Sequence, residues 1–287
     1  MMPISKQGIA ELLQGAYDLH IHPSPSPFSR KMDDIELLRA ADSAGMAGIL
    51  LKSHYEPTAA RAIMANTYAD TMAQAYGALV LNWSVGGLNP YAVHNALKRG
   101  TKIIYMPTRD AKNSLVSGNM PGDFFDREGL AILDGDGTLK EVVFEIMDLV
   151  KAHNASLATG HISVEESLLL CKAGRERGVR MVLTHPEYPR TKVPVEHQIA
   201  LAQCGVLIEH CWYNLGEAEC SGGEMAANIR AVGCDHCYIS TDRGQSGREP
   251  PVEAMIQFIE TLMEEGISKE QLRIMLTRVP QQVLALK

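Results

Sequence analysis

Short apolar or β-branched runs recur along the chain at residues 17–22, 47–52, 78–85, 102–106, 156–161, 179–185, 205–210 and 237–242, each bounded by Gly, Pro or polar positions. Runs of this length read as buried strands. The stretches between them carry helix signals. Asp33, Asp34 and Glu36 put carboxylates where the first turn of a helix exposes its amide groups, and Gly45 marks that helix's end. Ser163 and Glu166 have the spacing of a capping box, with Gly178 where the helix must stop. Eight strand-then-helix units predict parallel strands joined by right-handed crossovers and closed into an α/β fold, the (β/α)8 TIM barrel. A doubly wound open sheet is the alternative, and it lacks the G-x-G-x-x-G that would follow its first strand.

One connection breaks the rhythm. The loop after strand four, residues 107–137, includes Asn113, Ser117, Gly118, Asn119, Pro121 and Gly122, and connections of that length are functional or disordered. Residues 129–139, with the turn at 134–137, read as a small hairpin, so an ordered lid is expected.

Length agrees with the pattern. The chain's 287 residues are close to the roughly 250 of one such barrel, which predicts a single domain over residues 1–287. A composition of 46% hydrophobic and 21% charged residues is that of an ordered globular protein. The formal net charge of −7 disfavours a nucleic-acid partner, which would call for a basic face, and directs attention to a small-molecule substrate. Residues 1–14 lack the apolar stretch of a signal peptide, and no apolar run approaches the ~20 residues of a membrane span. A cytoplasmic protein without a membrane partner is expected, and a homo-oligomer is compatible with this reading. Six cysteines are too few for a disulfide scaffold of this length, and the Cys234 and Cys237 pair, with no second C-x-x-C, reads as structural.

The chemistry lies in where histidines fall. Four of the ten, His20, His22, His161 and His185, close predicted strands, the end of a barrel that forms the active site. Two residues apart on a strand, His20 and His22 point the same way with a spacing of roughly 7 Å, within reach of one metal ion. Asp242 closes strand eight at the same end.

The H-x-H of strand one, the single histidines closing strands five and six and the aspartate closing strand eight resemble the amidohydrolase superfamily over almost the whole chain. The closing segment, with Pro251-Val-Glu-Ala-Met-Ile-Gln-Phe-Ile259 and a final Arg278-Val-Pro-Gln-Gln-Val-Leu-Ala-Leu286, is similar to that superfamily's last helices. The resemblance implies a metal-dependent hydrolase in which His20, His22, His161 and His185 hold a divalent metal, with Asp242 beside the metal and its water as the catalytic proton carrier. Such a metal, zinc first with manganese or iron as alternatives, lowers the pKa of its water towards ~7, and a carboxylate within hydrogen-bond reach can take the proton.

Strand four ends in Tyr105-Met106-Pro107 with no Lys, Glu or Asp to bridge a second metal, so one or two ions remain open. Lys52 could compensate as a carboxylated bridge, or act as a cation facing the substrate, or be a surface lysine; His54 follows it. Of Glu209 and His210, strand alternation lets one face inward, as a ligand or as a group orienting one. Arg109 and Arg243 suit a carboxylate or phosphate on the substrate, with His54, Tyr105 and His210 as further substrate contacts and Arg30, Tyr55 and Trp212 weaker. The favoured reaction is hydrolysis of an amide, cyclic amide or lactone in a small polar anion. The rivals are a phosphoesterase of the polymerase-and-histidinol-phosphatase type, a metal-dependent decarboxylase and a non-catalytic barrel that binds metal and ligand.

Overall fold

The computed structural model describes residues 6–118 and 126–286. Eight parallel strands pair in chain order: β1 (Tyr17–Ile21), β2 (Gly48–Leu51), β3 (Gln74–Val80), β4 (Ile103–Tyr105), β5 (Ser156–Ala158), β6 (Arg180–Leu183), β7 (Leu207–Cys211) and β8 (Cys237–Ser240). The ring closes where β8 returns to β1. Ile21 bridges Arg243 in parallel, His22 N donates to Arg243 O at 2.8 Å, and Asp242 N donates to His20 O at 2.8 Å. The fold is therefore the (β/α)8 barrel.

Two apolar layers hold it together. Leu19, Leu50, Val80, Tyr105, Val182 and Tyr238 fill the barrel, while Ile49, Leu51, Ile104, Leu157, Met181 and Ile208 pack outward against the helices. Alternation along each strand produces this division, because successive side chains take opposite faces. The N-terminal end of the barrel is stoppered by Val279, Val283 and Leu284 from the last helix, Val279–Val283, and Ser156 Oγ donates to Val283 O at 2.6 Å.

Helix ends follow the sequence. Ser163 Oγ accepts from Glu166 N, Glu166 Oε2 accepts from Ser163 N at 2.8 Å, and the other Glu166 oxygen accepts from Ile132 N at 2.8 Å, so one capping box also anchors the loop after β4. Asp33 and Glu36 form a second capping box at the helix Asp34–Ser43.

Three expectations need correction. The third strand lies at Gln74–Val80 and not at 78–85, because apolar Trp83 and Val85 form a 3-10 turn that a hydrophobicity pattern cannot tell from a strand. The strands carrying His22, His161, His185 and Asp242 stop before those residues, which sit in the loops just beyond. The hairpin at 129–139 reduces to a single bridge between Leu133 and Leu139 around a turn, while Leu130 bridges Ala111 instead. Asn119, Pro121 and Gly122 fall outside the described residues.

Candidate metal centre at the barrel mouth

His20 faces the mouth because β1 is irregular. Asp18 pairs with Ile49 and Ile21 with Leu51, so β1 spends one residue more than β2 over this interval. That bulge lets Leu19 join the inner core while the next residue, His20, lines the mouth. Asp18 anchors the kink: its carboxylate accepts from His20 N, Thr241 N and Thr241 Oγ1, tying the H-x-H segment to the residue before Asp242. At Gly244 (φ +140°) a Cβ would lie 2.0 Å from His22 O, so only glycine lets the β8 loop approach that closely.

The mouth is a cavity of 320 Å³ lined by His20, His22, His54, His161, His185 and Asp242, with Arg30 and Arg109 above them. Ring centroids are 5.3 Å apart for His20 and His22, 5.9 Å for His20 and His185, and 5.0 Å for His161 and His185. His185 (φ 27°) and Asp242 (φ 52°) hold left-handed backbone conformations that non-glycine residues enter at a cost of about 1–3 kcal/mol each.

Hydrogen bonds fix how two imidazoles present themselves. His22 Nδ1 meets the Lys52 carbonyl at 3.0 Å and His20 Nδ1 meets Glu209 Oε2 at 3.2 Å. Carbonyl and carboxylate oxygens only accept, so both Nδ1 atoms carry the proton and both Nε2 atoms present lone pairs. Those Nε2 atoms lie 3.2 and 3.1 Å from the same oxygen, Asp242 Oδ1. His161 Nε2 and His185 Nε2 stand 3.2 Å apart. Burial pushes His22 down to about 3 and His185 down to about 4, and holds His54 and His161 well below the ordinary imidazole value. Burial opposes charge on Asp242, yet positive charge around it, with Lys52 among the sources, holds its carboxyl well below the usual range.

Electron-pair donors thus converge on one another, an arrangement that a cation between them would turn from repulsive to favourable. Neutral imidazoles with an ionised carboxylate are also the protonation states a divalent metal requires. The residues fit the group, and Glu209 acts behind His20 as the carboxylate that sets its tautomer.

Lys52 is fully buried, which removes the surface reading. Its Nζ lies 2.8 Å from His20 Nε2 and 4.3 Å from the Tyr105 ring centre, beneath the histidines and outside the cavity lining, so it does not face a substrate directly. Burial lowers its pKa.

His54 Nδ1 is 2.8 Å from Thr108 Oγ1, which also accepts from Asn82 Nδ2 at 2.9 Å. Thr108 Oγ1 has a second lone pair and a hydroxyl proton, so it serves His54 Nδ1 as acceptor or as donor according to the imidazole's tautomer.

Three expected substrate contacts lie elsewhere. Arg243 is buried, with Nε on Glu249 at 2.9 Å and Nη1 on Glu217 at 3.0 Å, so its guanidinium braces the β8 loop. Tyr105 points into the barrel core. His210 alternates outward from Glu209 and pairs with Glu187 at 2.9 Å.

The sequence reading missed Phe28, Ser29, Tyr188, Tyr213 and the segment 245–247, which line the cavity from the β1, β6, β7 and β8 loops. Arg109 is the one lining residue from the long loop after β4, so among the described residues that loop is not the lid it was expected to be. Asp18, two before His20, and Glu187, two after His185, are signals the spacing did offer.

A model of DUF6282, described as a family of unknown function, matches residues 15–209, more than half of the chain. The chain belongs to DUF6282. The matched span carries His20, His22, Lys52, His161, His185 and Glu209 and stops before Asp242. No curated protein matches. Among solved structures, an amidohydrolase from Pseudomonas aeruginosa is 13% identical at TM-score 0.61, over 96% of this chain and 99% of that one. A TatD homolog from Escherichia coli K12 is 14% identical at TM-score 0.60, over 96% and 100%. An organophosphorus hydrolase from Deinococcus radiodurans is 13% identical at TM-score 0.59, over 96% and 93%. This DUF6282 chain shares the (β/α)8 barrel fold of these structures.

Proposed function

We propose that the chain is a metal-dependent hydrolase that uses water to open an amide, cyclic amide or lactone bond in a small anionic substrate. The observation that carries this reading is the convergence of lone pairs from His20 Nε2 and His22 Nε2 on Asp242 Oδ1, beside His161 and His185, in one cavity. His20, His22, His161 and His185 would hold the metal. When bound, a divalent cation supplies Lewis acidity, polarising the scissile carbonyl and making water acidic enough to lose a proton near neutral pH. Asp242 takes the proton from the attacking water and returns it to the leaving nitrogen or oxygen, a transfer its ionised state permits. His54, whose pKa burial holds well below the ordinary imidazole value, lines the cavity and is placed to hold a polar group of the substrate. Arg30 and Arg109 line the cavity and supply the positive charge that selects an anion, while Phe28, Tyr188 and Tyr213 give an aromatic wall for its carbon frame.

Asp242 is the sole carboxylate among the described residues lining the cavity. A phosphoesterase centre of two or three cations calls for more negative charge, so this donor set supports the carbon-centred hydrolase. Lys52 offers a route to a second ion. Burial lowers the pKa of its amine, which carbon dioxide would carboxylate with loss of a proton, and a carbamate there would add an anionic ligand next to His20.

The test is a screen of zinc- and manganese-loaded protein against anionic lactones, cyclic amides and phosphate esters. Turnover confined to the first two classes supports the proposal. Turnover of phosphate esters alone, or carbon dioxide release, assigns the site to a rival chemistry.

A further inference from the structure

At the opposite end of the barrel from the histidines lies a second cavity, of 520 Å³. Its lining includes Lys151, Arg175 and Arg180, the amides Asn154 and Gln282, and no carboxylate. In a chain of net charge −7, three cations around one hollow with no carboxylate in its lining among the described residues run against the average. The guanidiniums are held in place by uncharged groups. Arg175 donates to Cys204 O and Val179 O, both at 2.9 Å, and Arg180 donates to Asn154 O at 3.3 Å and Asn154 Oδ1 at 3.1 Å. These bonds fix both forks and leave Arg175 Nη2 without a hydrogen bond among the described residues. Gly205 (φ +83°) makes room for that atom: a Cβ there would stand 2.9 Å from Arg175 Nη2. Burial together with the like charge of Arg175 lowers the Arg180 pKa.

The N-terminal face of a barrel ordinarily serves stability. Guanidiniums set around one hollow without a counterion among the described residues do not stabilise a fold, but they are suited to an anion with several acceptor oxygens, because Arg175 Nη2 and the second protons of the Arg180 Nη atoms remain to donate. We infer that this cavity binds a phosphate-type dianion, as inorganic phosphate or the phosphoryl group of a small ester, separately from the site at the barrel mouth. Gln282 and Leu286 also line it. They flank Val283, whose carbonyl is held by Ser156 at the barrel floor, so a bound anion would clamp the last helix against the β5 and β6 ends.

The experiment is calorimetric titration of the full chain with inorganic phosphate at pH 8, at constant ionic strength set with chloride, with a thermal melt at each endpoint. Arg180→Gln should weaken phosphate binding at least about tenfold and abolish the rise in melting temperature, whereas Arg30→Gln at the mouth should leave both at wild-type values. If Arg180→Gln does not fold, Lys151→Gln, on an exposed helix end, carries the test with a smaller expected loss. Glucose 6-phosphate in place of phosphate separates an ester site from an inorganic one: tighter binding than phosphate, lost in the same variant, identifies the ester. Phosphate that stabilises no more than chloride, or whose binding falls in Arg30→Gln and survives in both floor variants, would overturn the inference.

Discussion

The two ends of this barrel are built from the same strands and obey opposite rules. At the floor, Val279, Val283 and Leu284 stopper the inner core. At the mouth, the next inward positions are His20, Lys52, Glu209 and the loop residues His161, His185 and Asp242, all in place of apolar side chains that would pack as well. Two of them hold left-handed backbone, lone pairs face lone pairs, and buried atoms such as His185 Nδ1 and Glu209 Oε1 have no hydrogen-bond partner among the described residues. Unsatisfied polar atoms of this kind cost about 1–3 kcal/mol each. The difference teaches where stability has been exchanged for chemistry, and it can be broken from either side.

The largest expected effect lies just outside the mouth. Burial would lower the His210 pKa, but Glu187 raises it to about 10, and the same pairing holds Glu187 below its ordinary value against burial. Glu187→Ala leaves a buried charge alone and should cost about 3–5 kcal/mol in denaturant unfolding. The His210 contribution is complete below its unfolded pKa of about 6.5 and is lost as pH rises through about 10. Wild-type stability should therefore fall across that window, and the fall should be absent in Glu187→Ala. Equal pH profiles would remove the ion pair from the account.

Asp242→Asn comes next. Turnover should drop at least about 10²-fold, about 2.7 kcal/mol in barrier, while the melting temperature of metal-free protein should not fall, because asparagine tolerates the left-handed backbone and removes an acceptor facing two others. Unchanged turnover would take Asp242 out of the mechanism. Val283→Ala at the floor should give the reverse signature: a loss of about 2 kcal/mol in stability with unchanged metal content. Lys52→Met should lower metal content by one ion if the amine is carboxylated, and metal content that matches wild type at saturating carbon dioxide would exclude the carbamate.

The sequence made the barrel legible because period and capping agree: seven of the eight runs and the Ser163 box with Gly178 lie where the structure has strands and a capped helix, and the third run overlaps its strand only at 78–80. The histidines and Asp242 were readable because chemistry-bearing residues stand out at strand ends. What was not readable has a local cause in each instance. The bulge that turns His20 inward leaves no mark in Asp18-Leu-His-Ile-His22, since an extra residue in one strand shows only against its partner. The choice between Glu209 and His210 depends on which parity β7 adopts, and only Leu207 in the inner core fixes it. Arg243 looked like a substrate clamp because nothing in the pattern marks Glu249, six residues on, or the more remote Glu217 as its partners. Phe28, Tyr188 and Tyr213 are ordinary aromatics until the loops fold over the mouth.

Metal analysis tests the central claim most directly. The chain, purified without chelator and dialysed against a micromolar mixture of zinc and manganese, should retain at least about one divalent ion per molecule by mass spectrometry, as a four-histidine site with a carboxylate requires. His22→Ala and His161→Ala should each lose that ion while keeping the far-ultraviolet circular dichroism of the barrel. A folded wild-type chain that retains no divalent ion, or variants that retain as much as wild type, would contradict the account.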